Sequence, residues 1–196
     1  MTRRRKFYEE KSLALGTICF HLGLKPNILT GISLLFSLVA SIFLWKRSLF
    51  LALLFILLNS FADMLDGSTA RASGKTSLFG GVLDHLVDRF GEFFILMGIL
   101  LSGFVPAYWV LFSLFGMLSA SYVRAAAESI GKMESCTVGL AGRTEKIICL
   151  ILGIIGEMVF PQRQLLSYGL ILAGAISYIT TLQRLLFARK QMRKED

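Results

Sequence analysis

The sequence predicts an all-α polytopic membrane protein, with six transmembrane helices preceded by an N-terminal interfacial amphipathic helix. Three observations carry that expectation. The 196 residues are 55% hydrophobic and only 17% charged, whereas a soluble domain is about one quarter charged. Only 3 prolines interrupt the chain, and 18 glycines are spread through it. Few prolines favour long helices over a barrel, and glycines let helices pack closely in lipid. Six apolar runs each approach the roughly 20 residues that carry a helix across a bilayer.

In chain order, residues 1–25 are expected to form the interfacial helix. Leu13, Ile18 and Phe20 recur there beside Arg3, Arg4, Arg5, Lys6 and Lys11. Such a mixture of apolar and basic positions holds a helix in the headgroup layer. One six-helix transmembrane domain over 26–188 follows, with spans at roughly 27–45, 49–70, 79–102, 106–128, 143–160 and 165–187. Residues 189–196 read as a basic cytoplasmic tail. Positive residues set the orientation. The N-terminal cluster, Arg71 with Lys75, Lys132 with Arg143, and Arg189, Lys190, Arg193 and Lys194 all fall on one side of a six-span chain. The other side holds only Lys46, Arg47 and Arg163. A multi-pass protein of the cell (plasma) membrane is expected, with both termini and the aspartates discussed below toward the cytoplasm. Trp45 and Trp109 suit the interfacial aromatic belt.

A formal net charge of +8 would suit nucleic acid. No basic soluble module with interleaved aromatics accompanies it, so no nucleic-acid partner is expected. Anionic headgroups or phosphorylated substrates fit a basic membrane protein better. Cys19, Cys136 and Cys149 are odd in number and lack metal-ligand spacing. That argues against both a disulfide framework and a zinc site.

Residues 63–88, DMLDGSTARASGKTSLFGGVLDHLVD, set four carboxylates between apolar runs. Asp63 and Asp66 share a face at the end of the second span. Asp84 and Asp88 share one near the start of the third, with Gly80 a turn before them. Gly74 lets the chain turn between the two helices, so an antiparallel pair would bring all four together. Each charge is costly near lipid, and four in one pocket repel. Either some take up protons or cations sit between them. Mg²⁺ takes carboxylate oxygens and keeps open positions for substrate phosphate. Two such ions, held by Asp63, Asp66, Asp84 and Asp88, would make the two-metal arrangement for displacement at phosphorus. Juxtamembrane charges paired with Arg71 and Arg89 would account for one such aspartate better than for four.

The run Asp63-x-x-Asp66-Gly67-x-x-Ala70-Arg71, eight further residues, then Gly80-x-x-x-Asp84-x-x-x-Asp88 resembles the signature of the CDP-alcohol phosphotransferase family at every fixed position and gap. The likeness covers nearly the whole chain, because that family's core is also six membrane helices behind an interfacial helix. It implies that Asp63, Asp66 and Asp84 are metal ligands and that Asp88 is both a ligand and the general base. It implies contacts to a CDP-lipid from Gly67, Ala70, Arg71, Ser77 and Gly80. Pro26 and Asn27 join them through PNILT, which is similar to the family's PN-x-x-T. Small residues at 67, 70 and 80 suit close approach of a nucleotide, although helix packing would use the same glycines. Arg71 offers a planar donor fork for phosphate. The implied cofactor is Mg²⁺, two ions, with Mn²⁺ as the alternative. The implied reaction is attack by an acceptor hydroxyl, deprotonated by Asp88, on the lipid-side phosphorus of CDP-diacylglycerol or CDP-archaeol, with CMP leaving. A homodimer is implied by the resemblance alone.

The acceptor is read elsewhere. SYVRAAAESIG (121–131), VGLAGRTEK (138–146) and TLQRL (181–185) resemble segments of phosphatidylinositol phosphate synthases and their archaeal relatives. The resemblance implies a pocket of Arg124, Arg143 and Arg184 for the phosphate of inositol 1-phosphate, and arginines suit a dianionic phosphomonoester. DRFGE (88–92) is close to the same group's DRxxD, with Glu92 as the last carboxylate. Ala126, Gly142 and Lys146 depart from the usual Arg, Glu and Arg. They leave glycerol 3-phosphate as the alternative acceptor, while serine brings no phosphate and fits less well. A reading of another class is a divalent-cation transporter, but a transport site belongs near the bilayer midplane. It would also have no use for the remote arginines. A scaffold with a degenerate site would not keep four intact aspartates. His85 lies off the Gly80–Asp84–Asp88 face and reads as a helix-surface residue, His21 as interfacial, and Lys132 as a residue set by membrane orientation.

Overall fold

A computed structural model describes residues 13–74 and 77–192. The first half of the expected interfacial helix and residues 193–196 lie outside the described residues, as do Lys75 and Thr76. Seven helices and no strand are found among the described residues. They are α1 (13–21), α2 (Pro26–Trp45), α3 (Leu49–Ala72), α4 (Leu78–Ser102), α5 (Ala107–Ser129), α6 (Arg143–Val159) and α7 (Leu165–Met192). Each of the six expected spans is a helix. By length and apolarity, α2, α3, α5 and α7 are able to cross a bilayer. The charges of Asp84, Asp88, Arg89 and Glu92 set α4 apart, and α6 has only 17 residues. Helix α7 runs on to Met192, so Arg189 and Lys190 belong to its last turn rather than to a tail. Cations there complement the helix dipole. The chain divides into two compact units, Met1–Gly98 and Ile99–Asp196, with the boundary inside α4.

In the first unit, α2 opens on Pro26, whose missing N–H would be unsatisfied in any first turn. After α3 the chain turns at Gly74, where φ is +63°, a conformation that glycine adopts without a Cβ clash. Ser77 then starts α4 by accepting the Gly80 N–H at 2.9 Å. Helix α1 buries Gly16 and Cys19. A Cβ on Gly16 would stand 2.4 Å from the carbonyl carbon of Ser68, so the backbones of α1 and α3 touch there. Helix α2 buries Thr30, Ser33, Ser37 and Ser41, and α3 buries Ala52, Ile56, Asn59, Ala62 and Asp66. Asn59 Nδ2 donates to the Ser33 carbonyl at 2.7 Å. Phe50, Leu54, Leu57 and Phe61 form an exposed stripe on α3 at helical spacing. Small and hydroxyl side chains inside with large apolar ones outside is the pattern of helices packed in lipid. Hydrophobic drive between helices is absent there, and close contact with hydrogen bonds replaces it.

The second unit repeats that logic. Ser113 Oγ of α5 donates to the Leu170 carbonyl of α7 at 2.8 Å. A Cβ on Gly169 of α7 would lie 2.6 Å from the Cys149 carbonyl oxygen of α6. Between α5 and α6 the chain is not helical, and its backbone is fastened to α7. The Leu140 N–H donates to Gln183 Oε1 at 2.7 Å, and the Ala141 N–H to Thr180 Oγ1 at 3.3 Å.

Candidate active site

The end of α3 can turn a carboxylate inward because α1 covers it at Ser68 and the buried Thr30 of α2 lies alongside the same unit's core. Asp66 is 6% exposed, and its Oδ2 has no hydrogen-bond partner. Asp63 stands one turn earlier on α3, and Asp84 comes from α4. One oxygen of each of these three carboxylates lies within 4.8 Å of the other two. Asp84 belongs to a second group under the same limit, with His85 and Asp88. The four expected aspartates therefore form two overlapping clusters joined through Asp84.

His85 is the surprise. It is exposed, as its place off the aspartate face implies, yet a ring nitrogen lies within 4.8 Å of an oxygen of each neighbouring carboxylate. Spacing arguments follow the direction of Cα–Cβ bonds and understate the reach of an imidazole toward a residue one turn on.

The donors suit a divalent cation. Carboxylates brought together in one partly buried site repel, and a buried oxygen without a donor, as at Asp66, is costly. Arg89 lies 3.8 Å from Asp88 Oδ2 but makes its close ion pair with Glu92. The geometry thus favours the cation reading over ordinary surface ion pairing.

Around the carboxylates, the expected nucleotide contacts fall into two places. A Cβ on Gly67 would lie 3.4 Å from Arg71 Nη1, so the guanidinium folds back over that glycine. A Cβ on Gly80 would lie 2.9 Å from Ser77 Oγ and 3.8 Å from Asn27 Oδ1, which puts these three residues at one spot. Pro26 adjoins Asn27 at the start of α2. Ala70 is half-buried one turn beyond Asp66.

The arginines lie in the second unit. Arg124 donates from Nε to Glu128 Oε1 at 3.0 Å, and the same oxygen accepts the Cys136 N–H at 2.9 Å. Arg184, 9% exposed, donates from Nε to the Val138 carbonyl at 2.9 Å and from Nη1 to the Ala120 carbonyl at 2.6 Å. Arg143 is the first residue of α6, where Glu145 Oε2 accepts the Gly142 N–H at 2.8 Å. Lys146, one turn on, is buried. Burial pushes the Cys136 thiol up, against the opposing pull of the Arg184 guanidinium; Glu128 raises it further and Arg124 lowers it. Arg124 and Arg184 therefore both act near Cys136. Sequence reasoning missed Glu128 as the fastening point, although an acid four residues after Arg124 on a helix is a readable pair. A separate apolar cavity of about 620 Å³, lined by Tyr122, Ala126, Ile130, Leu185 and Arg189 among others, holds none of the expected site residues.

Comparison with known proteins gives a consistent result. The family model described as CDP-alcohol phosphatidyltransferase matches residues 24–185. The archaetidylinositol phosphate synthase of Pyrococcus horikoshii is 35% identical over 178 residues, which covers 91% of this chain and 90% of the relative. The crystal structure of Mycobacterium tuberculosis phosphatidylinositol phosphate synthase with CDP-DAG bound matches with a TM-score of 0.78 at 27% identity, over 90% of this chain and 92% of that one. The structure of the same enzyme in complex with manganese and citrate also scores 0.78 at 27% identity, over 90% and 88%.

Proposed function

The chain belongs to the CDP-alcohol phosphatidyltransferase family and is an enzyme of that class, and from this premise we propose that it transfers the phosphatidyl or archaetidyl group of a CDP-lipid to inositol 1-phosphate and releases CMP. The observation that carries the reading is the meeting of Asp63, Asp66 and Asp84 from two helices, with a buried Asp66 oxygen that no donor satisfies. An all-carboxylate set of this kind suits Mg²⁺, and the manganese complex of a structural relative supports Mn²⁺ as the alternative. We assign two ions to Asp63, Asp66, Asp84 and Asp88. Bound there, they supply charge neutralisation at the pyrophosphate and acidity to the acceptor hydroxyl.

The remaining roles belong to this chain's own groups. Arg71, lying over Gly67, presents guanidinium N–H donors to the phosphates. Asn27, Ser77 and Gly80 receive the nucleotide with Pro26 and Ala70, where a larger side chain at 80 would fill the space. Asp88 takes the hydroxyl proton, the acceptor oxygen bonds to the lipid-side phosphorus, and the bond to the CMP oxygen breaks. Arg124, Arg143 and Arg184 hold the acceptor's phosphate. Relatives named for inositol phosphate lipids support that acceptor. Glycerol 3-phosphate is the alternative, because Ala126 stands where an arginine is usual. The protein is a multi-pass membrane protein. We further propose that all six long helices of the 26–188 domain cross, that α1 lies at the interface as part of residues 1–25, and that the site faces the cytoplasm across the plasma membrane in a homodimer.

The test is CMP release by purified protein with Mg²⁺ and either CDP-diacylglycerol or CDP-archaeol. Inositol 1-phosphate should support turnover far better than inositol, glycerol 3-phosphate or serine. Release with glycerol 3-phosphate alone would overturn the acceptor, and no release with any acceptor would overturn the transferase reading.

A further inference from the structure

We propose that Thr180 and Gln183 of α7 are positioning residues for the acceptor: they fix the segment that leads into α6 and so set where Arg143 meets the acceptor's phosphate. The inference rests on the transferase reading and concerns two side chains that need not touch substrate. Thr180, Gln183 and Arg184 stand at i, i+3 and i+4, on one face of α7. Residues 138–141 lie against that face, and each is held there. The Val138 carbonyl accepts the Arg184 Nε–H at 2.9 Å. Gly139 has a φ of +137°, a conformation open to glycine, and a Cβ on it would lie 2.5 Å from the Thr180 methyl. The Leu140 N–H donates to Gln183 Oε1 at 2.7 Å. The Ala141 N–H donates to Thr180 Oγ1 at 3.3 Å, and that hydroxyl donates to the Ala141 carbonyl at 3.4 Å.

The stretch ends at the residue that the acceptor needs. Gly142, whose N–H donates to Glu145 Oε2 at 2.8 Å, leads directly into Arg143 at the start of α6. The same stretch meets the other two arginines, Arg184 at Val138 and Arg124 through Glu128 Oε1, which also accepts the Cys136 N–H. A guanidinium on a fixed frame meets a phosphate with its donors in place, and a misplacement of about 1 Å can cost roughly 100-fold. Thr180 is fully buried and Ala141 is 4% exposed, so water does not replace the bonds between them. Gln183 and Leu140 are exposed, so water can take over theirs. Thr180 therefore carries more of the positioning than Gln183.

The test is steady-state CMP release by the purified full chain with Mg²⁺ and CDP-lipid. The acceptor is inositol 1-phosphate or glycerol 3-phosphate, whichever the wild type uses. Thr180→Val removes the hydroxyl and keeps the volume. It should raise the acceptor KM roughly 10- to 100-fold and leave the KM for CDP-lipid unchanged. Thr180→Ser keeps the hydroxyl and should recover most of the wild-type KM. Gln183→Leu, at an exposed position that does not threaten folding, should raise the acceptor KM roughly threefold. The split between the two KM values is thus readable even where Thr180→Val does not fold. A double-mutant cycle checks the route: in an Arg143→Ala background, either variant should add little, because the group it positions is gone. An acceptor KM unchanged in both variants, equal changes in the two KM values, or effects that multiply fully with Arg143→Ala would overturn the positioning role and leave the transferase reading standing. No CMP release by the wild type with either phosphorylated acceptor would overturn both.

Discussion

Gly67 sits inside α3, where glycine is the wrong residue for a helix. It costs roughly 1 kcal/mol relative to alanine there. A Cβ there would come to 3.4 Å from Arg71 Nη1, an ordinary contact with the end of a flexible side chain. Gly67→Ala should therefore leave the protein as stable or slightly more so, while its methyl takes up space beside the guanidinium where the nucleotide phosphates are proposed to bind. The expected result is an unchanged or raised Tm with the KM for CDP-lipid raised roughly tenfold, the scale of one charge-assisted hydrogen bond. A lowered Tm with unchanged KM would show that the glycine serves packing alone. Arg184 poses the opposite question. Its Nε and Nη1 hold the Val138 and Ala120 carbonyls, so it fastens the segment after α5 whatever it does for substrate. Cys136 lies in that segment, fully buried and with its thiol pushed up by burial. Maleimide needs the thiolate and access. Arg184→Met removes two hydrogen bonds to a charged donor, worth about 1.5–3 kcal/mol each. Modification of Cys136 should then accelerate by more than roughly tenfold over wild type. An unchanged rate would mean that Arg184 does not hold the segment.

At the scale of elements, the helices were readable because apolar runs and sparse prolines leave few alternatives, and each expected span is a helix within a few residues at most ends. The departures have physical causes. Helix α7 continues past its apolar run because Arg189 and Lys190 are good helix formers placed where the dipole favours cations. The segment between α5 and α6 could not be read, since its order comes from side chains of α7 such as Gln183 and Thr180, some 40 residues away. Glu157 was likewise unread. It is a buried acid near the end of α6, and its Oε2 accepts the Leu166 N–H at 3.2 Å. Sequence cannot assign it a partner because the need arises only at the start of the next helix, whose first N–H groups have no intrahelical acceptor. Leu166 is 1% exposed, so water does not replace the acceptor. Glu157→Ala should cost about 1–2 kcal/mol, read as a Tm lower by roughly 3–6 °C in detergent. Glu157→Gln keeps an oxygen acceptor but loses the charge that the helix N-terminus favours, so its loss should be about half. Equal losses from both variants would point to the charge rather than the hydrogen bond.

At the scale of the whole molecule, the residues proposed for the donor (the aspartates and the nucleotide contacts) lie in the unit that ends at Gly98, and the three arginines proposed for the acceptor lie in the unit that follows it. The meeting of the aspartates was legible because they lie within one short stretch at fixed helical spacing. The partners of the arginines were not legible, because what Arg184 holds, the Val138 and Ala120 carbonyls, lies far away in sequence. That division makes a prediction about stability. An ion held as proposed would engage Asp63 and Asp66 of α3 with Asp84 of α4 and relieve repulsion among like charges. An ion present at about 100 times its Kd adds about 2.7 kcal/mol to the state that binds it. Stripping metal with EDTA should thus lower Tm by roughly 5 °C, and Mg²⁺ should restore it. Hydrogen exchange locates the effect: peptides of α3 and the first half of α4 should lose protection in EDTA, while those of α6 and α7 should change little. Asp66→Asn removes one of the repelling charges and one ligand together. Its Tm in EDTA should match or exceed that of wild type, and added Mg²⁺ should raise it much less. A wild-type Tm that is the same in EDTA and in Mg²⁺ would show that the carboxylates are neutralised within the protein. An equal loss of protection over α6 and α7 would show that metal stabilises both units as one.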